Sequence, residues 1–500
     1  MNVGDYERVT RKDKDDSMEF VDALLEMKLQ DTKLDQQATN DLAERCFAKF
    51  DDSEATLECR AISLYTMLAQ IRAGNVSMLV HVPGICQRLK TSSVLMQPYD
   101  DTAEDYHCQI INAISVILDL SPKKLVDETF GPVMHYLTQL VSCKHVDIAI
   151  AACKFWAKYA GISSNTAIRK HWISFLIPEM ASLITALVDQ MSYHPAYAEH
   201  LQQFGSHSLN SEGEKSPPID MESFVSLRNL AAVAFEHVVH VYPAELVCAT
   251  FRPLLQKRIE SDTWSEKEAA ILALAAFTQG AGTPDAMRDS YAVIVPRVVE
   301  CYVDPHPLLR SIACLTMPKF VGRRLRGVKD LWSRVLTCTA KATRDSSAEV
   351  RKTAIRALSC LLAYGTPLSG AGKSSGVSDH AARLVDALVR AYQYDMEPDT
   401  RCVYFDCVSH LVGRASDSLT ADDMLRLMPP LIDAWKSQPW NSSMNTGSVL
   451  DPDLGIVPFS VALGTIATYG KSLYAPFAEC VFEKACTDIK GCVLVLFIAW

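Results

Sequence analysis

Long basic tracts, metal-ligand cysteine spacings and membrane-length apolar runs are all missing from this 500-residue sequence, and each absence narrows its chemistry. The densest basic piece is Arg323-Arg324-Leu325-Arg326 and the net charge is −10, so nucleic acid is not the expected partner. An acidic body suits basic peptides better. No CxxC pair occurs. The 16 cysteines lie scattered inside apolar helical patterns such as Ala152-Cys153-Lys154-Phe155, which reads as reduced core thiols rather than disulfides or zinc ligands. Around Asp5, Glu7, Arg8, Asp15 and Asp16 the N-terminus is too charged for a signal peptide, so an intracellular protein is expected. The apolar tail Cys492 to Trp500 is nine residues, well short of the roughly 20 that cross a bilayer. No membrane insertion is expected. Aromatic residues are also sparse, at 8%.

What the chain does have is 49% hydrophobic residues, dominated by Leu, Ala and Val, against 22% charged. That material could fill about three or four globular domains or one repeat array. Val350, Thr353, Ala354, Ala357, Leu358, Leu361 and Leu362 fall on one helical stripe, with Arg351, Lys352, Arg356 and Ser359 on the opposite face. The same helix recurs. Asp304 precedes Arg310 by six residues as Asp345 precedes Arg351, and an alanine follows each arginine at plus three, Ala313 and Ala354. With Arg228, Lys267 and Arg401 the anchors are 39, 43, 41 and 50 residues apart, near the roughly 40 to 47 of HEAT or armadillo units. A second period is a proline inside the preceding helical run: Pro83, Pro132, Pro178, Pro253, Pro296, Pro430 and Pro476. Recurrent bends of this kind fit the outer helix of a two-helix unit, and no room is left for armadillo's third helix.

The expected fold is therefore all-α: a HEAT-repeat, right-handed superhelical solenoid of about ten helix pairs over residues 18–500, second helices concave, with residues 1–17 disordered. Helix pairs are expected near 39–73, 78–120, 123–160, 166–240, 243–280, 283–322, 326–365, 378–415 and 419–470, with loop insertions at 193–221, 365–376 and 438–449.

Few motifs suggest chemistry. Gly370-Ala371-Gly372-Lys373-Ser374 looks like part of a phosphate loop, but Pro367 stands where the pattern needs glycine and a helix precedes it. A flexible linker is the better reading. His237 and His240 lack any partner ligand spacing, Asp51-Asp52 and Asp422-Asp423 suit turns or caps, and Trp156, Trp264, Trp332 and Trp435 suit inter-repeat packing. No catalytic residue, metal or cofactor is expected.

The segments AACKFWAKYAG around Trp156, WSEKEAAILALAAFTQGA from Trp264, DPHPLLRSIACLTMPKF around Arg310 and MPPLIDAW from Met428 resemble the transportin family of karyopherin-beta nuclear import receptors, in order from about residue 45 to 490. The insertion inside the fourth unit falls where that family carries its long loop. The resemblance implies a receptor moving between cytoplasm and nucleus, one that meets nucleoporins, binds basic or proline-tyrosine-ended localisation signals of cargo proteins on its concave face, and releases them to the Ran GTPase. It places Glu236 as the acidic partner of the signal's arginine, Leu272, Ala276 and Ile312 in the apolar pocket, and Asp406 among the cargo contacts. Leu315 replaces the family's pocket tryptophan, Lys319 an arginine and Ala363 an acidic contact, which predicts a different signal. The 193–221 loop is shorter and less acidic than the family's. Because the resemblance begins near the fourth family repeat, this chain is expected to lack the Ran-gripping units and to bind Ran weakly or not at all. A HEAT scaffold outside transport, such as a phosphatase regulatory subunit or an assembly platform, is the alternative that the repeats alone permit.

Overall fold

The computed structural model describes residues 36–72, 75–91, 104–120, 131–162, 176–194, 221–281, 287–321, 329–364, 376–394 and 398–437, with a few isolated positions besides. Residues 1–17, the Gly370–Ser374 run, Pro476, the 365–376 and 438–449 insertions and most of 193–221 lie largely or wholly outside that set.

Among the described residues every regular element is helical, and the helices come in pairs. The pairs are α1 (Gln36–Asp51) with α2 (Leu57–Arg72), α3 (Val82–Thr91) with α4 (Glu104–Leu120), α5 (Gly131–Val141) with α6 (Val146–Ile162), and α7 (Met180–Gln190) with α8 (Met221–Val241). Next in the chain come α9 (Ala244–Ile259) and α10 (Trp264–Ala281), and the pairs continue as α11 (Arg288–Glu300) with α12 (Pro307–Val321), α13 (Lys329–Ala342) with α14 (Ala348–Tyr364), and α15 (Ala381–Ala391) with α16 (Pro398–Ala415). One further first helix, α17, spans Ala421–Ser437. The chain forms two compact units, 1–254 and 255–500. In the first, α2, α4, α6 and α8 stack in succession as one layer, with α3, α5 and α7 in the other. In the second, α10, α12, α14 and α16 form one layer and α11, α13, α15 and α17 the other. This is a HEAT-repeat array, as the 40-residue period predicts.

The recurring Asp and Arg explain the register. Asp304 and Asp345 each accept the backbone amide two residues on, His306 and Ser347, both at 2.8 Å, which turns the chain into the next helix. Arg310 Nη1 donates back to the carbonyls of Asp304 and Pro305, at 2.8 and 2.9 Å, and Arg351 Nη1 does the same to Asp345 and Ser346. The remaining prongs of Arg310, Nε and Nη2, donate to both carboxylate oxygens of Asp345 at 2.7 Å, so one repeat is clipped to the next. Arg351 finds the ring of Tyr394 instead, 4.4 Å away. Arg228 makes the analogous backbone bond to Met191, at 2.9 Å, and lies over Tyr193. These bonds satisfy carbonyls that a tight helix-to-helix turn would otherwise leave unpaired.

The apolar stripe of α14 is buried as its spacing requires, with Val350, Ala354, Leu358, Leu361 and Leu362 fully enclosed. Its polar face needs a correction: Ser359 is buried and Arg351 turns back to its own loop, while Lys352 is half-buried and only Arg356 of the four is open. A second-layer helix touches its pair partner and two stacked neighbours, α12 and α16, so only a narrow strip meets solvent. The prolines also divide. Pro253, Pro296 and Pro430 interrupt first-layer helices as expected, joined by Pro429 and, in α12, by Pro318. Pro83 and Pro178 mark the joints where 3-10 turns at 76–81 and 177–179 pass into α-helix. Pro132 is the second residue of α5, where its missing N–H costs nothing.

Trp156 is fully enclosed, donating through Nε1 to the Leu137 carbonyl at 3.4 Å, and Trp332 is 6% exposed. Trp264 stacks on His306 with ring centroids 3.9 Å apart. All thirteen described cysteines are free, and most are buried. Burial pushes the thiols of Cys46 and Cys153 up to about 12 and that of Cys301 to about 11, which makes them packing groups rather than nucleophiles.

Candidate functional site

In the second layer, each helix leaves one strip uncovered at spacings of three and four residues, and the predicted site residues fall on or beside these strips. On α8 of the first unit the strip runs Ser226, Asn229, Val233, Glu236 and His240. Glu236 is half-buried and makes no hydrogen bond or ion pair with any described residue, while Val233 beside it is 42% exposed. His237 points the other way and donates through Nδ1 to the Ala157 carbonyl on α6, at 2.7 Å. It links two helices, so of the two histidines only His240 is open.

In the second unit, α10, which carries Leu272 and Ala276, and α12, which carries Ile312, Leu315 and Lys319, are neighbours in the layer. Ala276 and Ile312 are 4% and 5% exposed, and Leu272 is half-buried. Leu315 is 44% exposed, with Lys319 one turn on along the same strip of α12. An exposed leucine can take a further apolar group, though with less contact area than an aromatic side chain would offer. Asp406 is on α16, separated from this spot by α14. Burial pushes its carboxyl up, against a smaller downward pull from His410 one turn away. Burial likewise holds His410 below the usual imidazole value, with its Nδ1 buried and unpaired.

The strip of α14 between them carries Lys352 and Arg356. Exposed Glu349 begins the same strip, and Lys319 lies on the neighbouring strip of α12. The sequence pattern named Lys352 and Arg356 as polar-face residues but could not say which second-layer neighbours they would meet. Among the described residues no group of three or more His, Cys, Asp or Glu side chains is placed to hold a metal ion, and no helix is long and apolar enough to cross a membrane.

Stacked two-helix repeats with an uncovered strip along one layer define a HEAT-repeat fold, and comparison with known proteins shows what the chain is similar to. No family model matches the chain. It is 24% identical to Transportin-1 of Oryza sativa subsp. japonica over 367 residues, 69% of this chain and 38% of that protein. With Transportin-1 of Mus musculus the identity is 22% over 417 residues, 77% of this chain and 43% of the relative. The crystal structure of Kap121p bound to Pho4p matches the fold with a TM-score of 0.63 at 14% identity, covering 91% of this chain and 40% of Kap121p. The chain is similar to transportins in sequence and to the karyopherin Kap121p in fold. It spans less than half the length of these relatives.

Proposed function

We propose that this chain acts as a nuclear transport receptor of transportin type, a binding protein rather than an enzyme, that holds the localisation signals of cargo proteins against the uncovered strips of its second layer and shuttles between cytoplasm and nucleus. Nucleoporins are the further partners this reading implies. The observation that carries it is the apolar spot on α12, where Leu315 is 44% exposed on the second layer of its unit with α10 stacked alongside. A signal's proline-tyrosine end supplies the apolar group that such a spot accepts. Its basic residues are then left to Asp406, on α16 of the same unit.

The test is a fluorescence titration of the full chain with a basic, proline-tyrosine-ended peptide. Leu315→Asp should weaken binding by about thirtyfold, the loss of an interface anchor worth about 2 kcal/mol. Leu315→Trp, which restores the aromatic found at this position in the family the chain resembles, should tighten it. Failure of the wild-type chain to bind any such peptide would favour a scaffold role outside transport.

A further inference from the structure

The first layer of the second unit carries a feature that cargo binding does not use. Asp386 on α15 receives three guanidinium groups: Arg426 of α17 at 3.1 Å, Arg390 of α15 at 3.2 Å and Arg344, just beyond α13, at 3.8 Å. One carboxylate cannot neutralise three cations, nor can its two oxygens occupy the donors of three guanidinium forks. The arginines are 33 to 55% exposed, so unfilled N–H groups face solvent. Beside them lies a groove of about 430 Å³ between α13 and α15, and Lys341, Arg344, Arg383 and His380 line it along with Asp386. Lys341 and Arg383 are exposed and make no ion pair with any described residue. His380 is held below its usual value first by burial and then by the Arg383 charge, and its Nε2 bonds Ser333 Oγ at 2.9 Å. The flanking acids are Asp379 and Asp422, both exposed.

On a chain of net charge −10, five cations around one carboxylate on adjacent first-layer helices are a local inversion of sign. We infer that the α13–α15–α17 face is a docking surface for an acidic peptide segment, whose carboxylates complete the shared guanidinium cluster while its backbone lies in the groove beside Lys341 and Arg383. The groove volume is within the range of about 300 to 1,000 Å³ that admits several side chains. A peptide is favoured over nucleic acid because the cluster is confined to three short helices, and the remainder of an acidic chain would repel an extended polyanion.

The experiment is fluorescence anisotropy of a labelled poly-glutamate peptide against the full chain, at low and at about 0.15 M salt. Binding should be present, weaken with salt, and fall about tenfold or more in the double variant Lys341→Glu with Arg383→Glu. Both residues are exposed and lie outside the Asp386 ion pairs, so helicity should be unchanged. The milder pair Lys341→Gln with Arg383→Gln should lose less. The inference is overturned if the peptide does not bind at low salt, or if the double reversal leaves its affinity unaltered. A single-stranded oligonucleotide of equal charge that binds as tightly, with the same loss in the variant, overturns the peptide assignment as well.

Discussion

Replacing Asp345 by Asn should loosen the array at one seam, because this carboxylate closes two loops at once. It accepts Nε and Nη2 of Arg310 at 2.7 Å each and the Ser347 amide at 2.8 Å, and the ion pair is 14% and 13% exposed on its two sides. Asn keeps one oxygen for Ser347 but turns an N–H₂ toward the guanidinium. Arg310 is then left largely buried without its anion, a change that costs about 3 to 5 kcal/mol in a fully enclosed pair. The carbonyls of Asp304 and Pro305 still hold Nη1, and some solvent reaches the site, so about 2 to 4 kcal/mol is expected here. A 500-residue repeat array does not unfold in one step, so the readout is local: hydrogen exchange of α12 and the first turns of α14. Exchange there should accelerate by about 30-fold to 1,000-fold, with α2 and α4 unchanged. The same pair sets an acid limit. Burial alone pushes the Asp345 carboxyl up, but the Arg310 hydrogen bonds, the Ser347 amide and the Arg310 charge together outweigh it and hold the carboxyl below its usual value. Its stabilisation is therefore complete above the unfolded value of about 3.9 and disappears as pH falls through the lower folded one. Exchange in α12 that stays within about twofold of wild type in Asp345→Asn would refute this account of the repeat register.

Three further outcomes are expected. Trp156→Ala removes a fully enclosed side chain between α5 and α6 and should cost about 3 to 5 kcal/mol, read as lost exchange protection in those helices. In site-resolved alkylation of the native chain at pH 8, Cys46 and Cys153 should stay unmodified until denaturant is added, because burial raises both thiols to about 12. Glu236→Gln should lose about 1 to 3 kcal/mol of affinity for a basic proline-tyrosine peptide, and unchanged affinity at low and moderate salt would remove Glu236 from the cargo surface.

The helix pairs were legible because their signal repeats: Asp304 and Asp345 with Arg310 and Arg351 mark the same turn twice, and the bonds they make are the physical reason for that spacing. Less legible was which polar residue on a helix stays wet. Ser359 and Arg351 share a face with Arg356 in a helical projection, yet stacking against α12 and α16 buries the first and the loop carbonyls capture the second. Packing among second-layer neighbours is a tertiary property, and a single-helix pattern carries no record of it. The Asp386 cluster was hidden for the same reason, since its members are far apart in sequence and the whole chain is acidic. Leu315 was named from its position in a family pattern, and the structure adds that it is 44% exposed.

Photo-crosslinking tests the central claim most directly. A basic localisation-signal peptide, with a photoreactive phenylalanine in place of its terminal tyrosine, is irradiated with the full chain and the adducts are located by mass spectrometry. The account predicts adducts on α10 and α12 around Leu272, Ile312 and Leu315, suppressed by excess unlabelled peptide and reduced in Leu315→Asp. Competable adducts confined to first-layer helices, or none at all under conditions where the peptide binds, would contradict it.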